Sequence, residues 1–223
     1  MKLAIRRHIP LQLLLEEIKR VPLKNLVDGK KIYPYEKAKI GLREFSPEEL
    51  NPGSRYVLQS QLEIQRELRS TLLQDHGLDS LALHGGYELE TSQGLLTLLP
   101  PIVEVSEETV CYEDTRGDIP YSHPVKAKIN IIVDGLHRAY LSRLREQPLQ
   151  VIHIFGIPDE YPFYALANQW DEIRILQRVP ATMPEKKNYR RSDSYALYRD
   201  FDVLGCGKPR GVSTPETMEN VPK

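Results

Sequence analysis

The sequence predicts an α+β fold in which a small mixed β-sheet is surrounded by helices. Short apolar runs rich in β-branched residues predict buried strands over residues 102–105, 129–133 and 149–155. Apolar residues at helical spacing predict amphipathic helices over residues 10–20 and 55–76. The run 129–133 also passes through a short polar turn directly into a helical pattern, so strands and helices share one core.

The first third of the chain begins with a helix. Residues 10–20 place Leu11, Leu14, Leu15 and Ile18 on one helical face, and Pro10 suits the first turn. Residues 21–27 predict a short strand or extended entry. Residues 31–44 mix tyrosines with charges, and Pro34 argues against a long helix there.

A helical segment follows. Ser46, Pro47 and Glu49 have the arrangement of a helix start, with a capping serine and an acid three residues later. The pattern over residues 55–76 is the longest helical pattern in the chain, and Gly77 is placed to end it. Residues 87–89 predict a short strand.

The second half carries the remaining strands. Pro100 and Pro101 cannot lie inside a central strand, so the strand starts at Ile102. Residues 107–125 are polar and rich in turn residues, which predicts a loop or a hairpin excursion. Residues 161–173 suggest a helix around Trp170.

These elements predict one domain over residues 1–205. It carries two insertions, a helical one at 46–95 and a loop at 107–125. Residues 206–223 are rich in proline and polar residues and predict a flexible tail.

Composition excludes several classes of protein. The net charge of −1 disfavours a surface that coats nucleic acid, and 40% hydrophobic residues are ordinary for a globular chain. No apolar run is long enough to span a membrane and no signal peptide is recognisable, so a cytoplasmic protein without a membrane partner is expected. Cys111 and Cys206 match no metal-binding spacing and are expected to be ordinary thiols.

The most informative stretch is the turn formed by Asp134, Gly135, Leu136, His137 and Arg138, here called the 134–138 turn. A helix N-terminus offers free N–H groups, Gly135 allows close approach to the backbone, and Arg138 can hold a phosphate through two hydrogen bonds. The pattern therefore favours an anion site. The alternative is an ordinary turn in which Asp134 caps the helix.

A second candidate site lies near the end of the domain. Lys186, Lys187, Arg190 and Arg191 alternate with tyrosines at positions 189, 195 and 198. This cluster could close over a nucleotide or an acidic substrate. The alternative is a solvated surface of the protein.

Four segments together resemble the ParB/sulfiredoxin superfamily. They are Val21-Pro22-Leu23-Lys24-Asn25-Leu26, Leu99-Pro100-Pro101-Ile102-Val103-Glu104-Val105, Ile131-Ile132-Val133-Asp134-Gly135-Leu136-His137-Arg138-Ala139 and Val151-Ile152-His153-Ile154. Sulfiredoxins have a nucleophilic cysteine where this chain has Leu136, so their chemistry is not supported. ParB partitioning proteins carry a helix-turn-helix domain that is not recognisable here. The Asp-Gly-x-His-Arg variant is most similar to the free-serine kinases of the superfamily.

The resemblance implies roles for individual residues. Gly135, Leu136, His137 and Arg138 would cradle the phosphates of ATP or ADP, with Arg190 and Arg191 as further nucleotide contacts. Asp134 would lie at the acceptor hydroxyl or hold Mg²⁺. The general base of the family follows the first strand, where Glu36 and Glu44 are the candidates.

Three functions follow from these expectations. The first is a nucleotide-dependent phosphotransferase that acts on a small hydroxyl-bearing metabolite, with free L-serine as the first choice. The second is a nucleotide-binding regulatory or partner-binding protein without turnover. The third is a ParB-like nuclease or clamp associated with DNA, which the near-neutral charge disfavours.

Overall fold

A computed structural model describes residues 3–92, 94–116 and 119–205, without the side chains of residues 110–122. The strands are β1 (Leu3–Pro10), β2 (Leu23–Asn25), β3 (Lys31–Ile32), β4 (Lys39–Phe45), β5 (Asn51–Pro52), β6 (Tyr56–Leu58), β7 (Gly85–Thr91), β8 (Gly94–Leu98), β9 (Ile102–Arg116), β10 (Ile119–Asp134), β11 (Leu149–Phe155), β12 (Arg174–Leu176) and β13 (Leu197–Arg199). The helices are α1 (Leu11–Ile18), α2 (Gln59–His76), α3 (Leu136–Leu144) and α4 (Met183–Lys186).

The central element is a five-stranded mixed sheet with the strand order β4-β11-β9-β10-β5. β9 and β10 form an antiparallel hairpin, whereas β11 runs parallel to β9 along Ile152–Ile154. β4 closes one edge antiparallel to β11. Three smaller sheets flank this one, so the prediction of an α+β fold built on a small mixed sheet is confirmed.

Both faces of the central sheet are covered at the end where β9 begins. On one face Val103, Ile132 and Val151 pack against residues of α2 and α3. On the other face Ile102 and Ile152 pack against α1. Because neighbouring residues of a strand point to opposite faces, continuous apolar runs such as 149–155 are the expected sequence of a strand buried on both sides.

Of the two alternatives for residues 107–125, the hairpin is confirmed and the loop is wrong. This segment forms the outer halves of β9 and β10. The two strands are paired from Arg116 and Ile119 at the tip to Ile102 and Asp134 at the other end. The segment is polar because this part of the hairpin extends beyond the residues that cover the sheet. A polar segment of this kind has the composition of a loop. Backbone pairing, which composition does not reveal, stabilises it as strands.

The insertion at 46–95 is helical only in part. α2 is present and ends at Gly77, which adopts a left-handed conformation with φ of 64°, as predicted. Residues 56–58 form β6, however, and β7 and β8 build a separate sheet with β1. The three-residue 3₁₀ turn Pro47–Glu49 follows Ser46, where a helix start was predicted.

Two further expectations can be compared with the structure. Residues 161–173 are irregular except for a 3₁₀ turn at Trp170–Glu172, so the suggested helix is wrong. Trp170 is nevertheless buried, and its indole donates to the carbonyl of Pro47. Residues 206–223, including Cys206, and the side chain of Cys111 lie outside the described part. Among the described residues, no helix is long and apolar enough to cross a membrane.

Candidate functional site

The 134–138 turn joins the last residue of β10 to the first turn of α3. Gly135 occupies the N-cap position with φ of 80°, and its carbonyl accepts hydrogen bonds from the N–H groups of Arg138 (3.0 Å) and Ala139 (3.2 Å). Among the described residues, no side chain caps this end of the helix. The alternative in which Asp134 is the cap is therefore wrong, and the N–H groups of Leu136 and His137 begin the helix without a side-chain acceptor.

Gly135 is required by packing as well as by its conformation. A Cβ atom at this position would lie 2.7 Å from Cβ and 2.9 Å from Cα of Pro101. Only glycine tolerates both this contact and the left-handed conformation. The glycine thus lets the turn lie directly on the diproline entry of β9, and whether a ligand also approaches it stays a prediction.

His137 is held by the backbone of a neighbouring element. Its Nε2 accepts a hydrogen bond of 3.0 Å from the N–H of Leu58, just before α2 begins. Burial lowers the pKa of His137 to about 4, so the imidazole is neutral near pH 7. With Nε2 as acceptor, the proton of the neutral ring is on Nδ1, which is the nitrogen able to donate.

The other members of the turn are at least partly buried. Arg138 is 7% exposed and makes contacts within the protein. The side chain of Leu136 packs against the core cluster beneath α3, so only its backbone is suited to contact an anion. Asp134 is half-buried beside them. The turn therefore combines a helix N-terminus, a neutral imidazole and an enclosed guanidinium.

The two predicted general bases do not join this turn. Glu44 is exposed on β4, where it accepts a hydrogen bond of 3.2 Å from Nε2 of Gln150. β4 is three strands away from β10, which is about 15 Å at the usual strand spacing. Glu36 is exposed and precedes β4. It lies near the end of β4 that pairs with Phe155, and the residues level with Asp134 are at the other end of that strand.

The predicted arginines are also separate from the turn. Arg190 donates to the carbonyl of Phe163 (2.7 Å), to Oγ of Ser106 (2.8 Å) and to Glu108 (2.6 Å). Ser106 lies four residues along β9 from Ile102, the partner of Asp134, which corresponds to about 13 Å. Arg191 is exposed beside Asp193. The structure brings together only the contiguous members of the predicted site.

A second concave region lies where Arg190 is held. The His153 cleft has a volume of about 750 Å³ and opens past the end of β11, where β9 and β10 continue as a hairpin. Its lining includes Arg43, Val105, Lys128, Asn130, His153 and Phe155. Sequence reasoning missed it, because its residues come from four strands and their spacing forms no motif.

Glu104, one of the residues that line the cleft, belongs to a buried ion pair on the opposite face of β9 from Val105. Glu104 accepts hydrogen bonds from Nε (2.9 Å) and Nη2 (3.2 Å) of Arg199 and from the hydroxyl of Tyr35. Burial, followed by the charge of Glu104, raises the pKa of Tyr35 well above its ordinary value, so the hydroxyl stays protonated as the donor. Glu104 lies in the Pro-Pro-Ile-Val segment, yet nothing in the sequence indicated its partner 95 residues away.

The described residues contain no group of three or more His, Cys, Asp and Glu side chains close enough to share a metal ion. Asp134 could therefore hold Mg²⁺ only together with oxygens from a ligand or water. Such a mixed set is common for Mg²⁺ bound beside nucleotide phosphates.

Comparison with known proteins supplies one match. The family model described as the ParB CE domain matches residues 13–174, which span β4, α2, the β9–β10 hairpin, the 134–138 turn and β11. The match covers more than half of the chain and includes all four segments that suggested the superfamily. Searches of curated proteins and of solved structures found no match to the chain.

Proposed function

The chain belongs to the family of the ParB CE domain, and from this membership we propose that it binds a nucleotide through its phosphates at the 134–138 turn. The observation that carries the proposal is the N-terminus of α3, which begins at the left-handed Gly135 and has no side-chain cap. Such a helix end presents N–H groups and the positive end of the helix dipole to an anion.

The neighbouring side chains support phosphate as the ligand. The Nδ1 proton of His137 and the guanidinium of Arg138 supply hydrogen-bond donors within the first turn of α3. The imidazole of His137 is neutral, so the positive charge comes from Arg138. A buried guanidinium binds phosphate more strongly than an exposed one, since water competes less for it. ATP or ADP with Mg²⁺ is the first choice, with Asp134 as the protein ligand of the ion beside the phosphates.

Phosphoryl transfer to a small hydroxyl-bearing molecule, free L-serine first, is the second candidate. It is favoured by the half-exposed position of Asp134 at the turn, where a carboxylate could orient an acceptor hydroxyl. Glu44 lies three strands away, too far from this position to act with it. Nucleotide binding without turnover therefore requires fewer functional residues than phosphoryl transfer does. A DNA nuclease or clamp is supported only by the family membership.

Nucleotide binding is tested by calorimetric titration of ATP and ADP with Mg²⁺ into the full chain. Arg138→Lys keeps the charge but loses the two-pronged geometry, so we expect the affinity to fall about tenfold or more. Arg6→Lys, which alters an exposed arginine on β1, is the matched control and should bind like the wild type. Equal affinities for the two variants, in chains with the same melting temperature, would reject the turn as the site.

Turnover is tested separately by following nucleotide conversion with L-serine and other small alcohols. Phosphoryl transfer that Asp134→Asn abolishes while binding persists would establish the second candidate. Binding with no transfer to any alcohol would leave the nucleotide-binding protein.

A further inference from the structure

The His153 cleft includes the half of a sheet face that none of the described helices covers. Beyond Val103, Ile132 and Val151, the same face continues with Val105, Asn130 and His153, which line the cleft. The two-residue alternation of the paired strands places Lys39 and Arg43 of β4, and Lys126 and Lys128 of β10, on this face as well. The described side chains of this face thus carry four positive charges and one negative charge, that of Glu107. The cleft is also lined by Glu104 and Glu108, which are paired with Arg199 and Arg190, and by Asp159.

The tautomer of His153 is set by a chain of hydrogen bonds. Nδ2 of Asn130 donates to the carbonyl of Glu49 (3.1 Å), which fixes the orientation of the amide and turns its Oδ1 towards Nε2 of His153 (3.2 Å). Nε2 must therefore carry the proton. The neutral ring then keeps a lone pair on Nδ1.

That lone pair has no partner. His153 is 7% exposed, and its Nδ1 is buried without a hydrogen bond to any described residue. Burial and the nearby charge of Arg43 lower the pKa of His153, so protonation does not relieve this. Most buried acceptors in proteins are satisfied, so an unpaired one marks a place where a bound ligand or water can donate a hydrogen bond.

The surroundings identify the chemistry of that donor. The guanidinium of Arg43 and Nζ of Lys39 lie 5.9 and 5.7 Å from the ring centroid of Phe155, beside His153. Phe45 packs edge-on against the imidazole at 5.1 Å. A metal ion is disfavoured next to these cations, and a cleft of about 750 Å³ is of the size that holds small molecules.

We propose that the His153 cleft is a second ligand site, which binds a small organic acid bearing a hydroxyl group. Arg43 and Lys128 hold the acidic groups, and the hydroxyl donates to Nδ1 of His153. The site is independent of the nucleotide proposed for the 134–138 turn, which lies towards the opposite end of the sheet.

The test compares two probes that differ only in the donor. L-malate carries a hydroxyl that succinate lacks, so the full chain should bind malate about threefold to tenfold more tightly. His153→Phe keeps the ring packing but removes the acceptor, and should bind both acids equally. Arg43→Gln should weaken both several-fold, whereas the control Arg6→Gln should weaken neither.

Nitrogen NMR of the wild type provides a readout that needs no variant. Malate should shift the Nδ1 resonance of His153, and succinate should not. Failure of both acids to bind at millimolar concentration would overturn the proposal, as would a malate preference that persists in His153→Phe. Tight binding of single-stranded oligothymidylate that Arg43→Gln abolishes would replace the small acid with nucleic acid.

Discussion

The 134–138 turn contains the half-buried His137 and the His153 cleft contains a buried histidine, and the two histidines are held in opposite ways. Nε2 of His137 accepts from the N–H of Leu58, which leaves the proton on Nδ1. Nε2 of His153 donates to Oδ1 of Asn130, which leaves the lone pair on Nδ1. The same side chain is therefore prepared as a donor for an anion in one region and as an acceptor for a hydroxyl in the other.

The regions also differ in how they are built. The turn is five consecutive residues that depend on one close contact between Gly135 and Pro101. The cleft is assembled from separate strands, and Glu104, one of its lining residues, forms a buried ion pair with Arg199. We therefore expect the cleft to be the more sensitive to loss of a charge and the turn to the addition of a single atom.

The largest effect is expected at the buried ion pair of Glu104 and Arg199. Glu104→Gln keeps the shape of the side chain but leaves the fully buried guanidinium of Arg199 without its counter-charge. We expect the free energy of unfolding, measured by urea denaturation, to fall by about 3–5 kcal/mol. The exposed pair of Arg7 and Glu88 is the control, since Glu88→Gln should cost less than about 1 kcal/mol. Similar losses in both variants would show that burial of the pair is unimportant.

The next effect concerns the turn. Gly135→Ala must adopt a left-handed conformation and also place its Cβ against Pro101, so we expect a loss of about 2–4 kcal/mol in the free energy of unfolding. Gly77 has φ of 64° but open space around it, and Gly77→Ala should cost only about 1 kcal/mol. Equal losses would mean that the contact with Pro101 contributes nothing.

A third prediction concerns the contribution of His137 to the pH dependence of the free energy of unfolding. The folded state holds the pKa of His137 at about 4, below its ordinary value of 6.5. The unfolded chain therefore takes up a proton first, and stability is lost as the pH falls from about 6.5 towards 4. His137 contributes up to about 3 kcal/mol of this loss.

The comparison that isolates this contribution uses His137→Gln, whose amide oxygen can still accept from Leu58 but does not titrate. Unfolding free energies measured across that pH range should fall less steeply in the variant than in the wild type. Parallel curves would contradict the assignment of the buried, neutral imidazole.

The fold was predictable from the sequence wherever the residue pattern of a segment depends on how that segment is buried. The apolar run 149–155 is continuous because β11 is covered on both faces, and the pattern of α2 with Gly77 marks a helix and its end. For residues 107–125 the sequence left a loop and a hairpin open, since polar residues suit both and only the backbone pairing of the two strands decides between them. The same applies to β7 and β8, which depend on β1.

The sequence by itself determined the 134–138 turn, because a strand, a glycine and a helix in succession force these five residues together. Only the tertiary structure decided what surrounds them. It made Gly135 rather than Asp134 the helix cap, placed Glu36, Glu44, Arg190 and Arg191 away from the turn, and joined Arg43, Asn130 and His153 in a cleft. The physical reason is that chain order fixes the distance between neighbours in sequence, whereas strand order and register fix the distance between residues far apart in it.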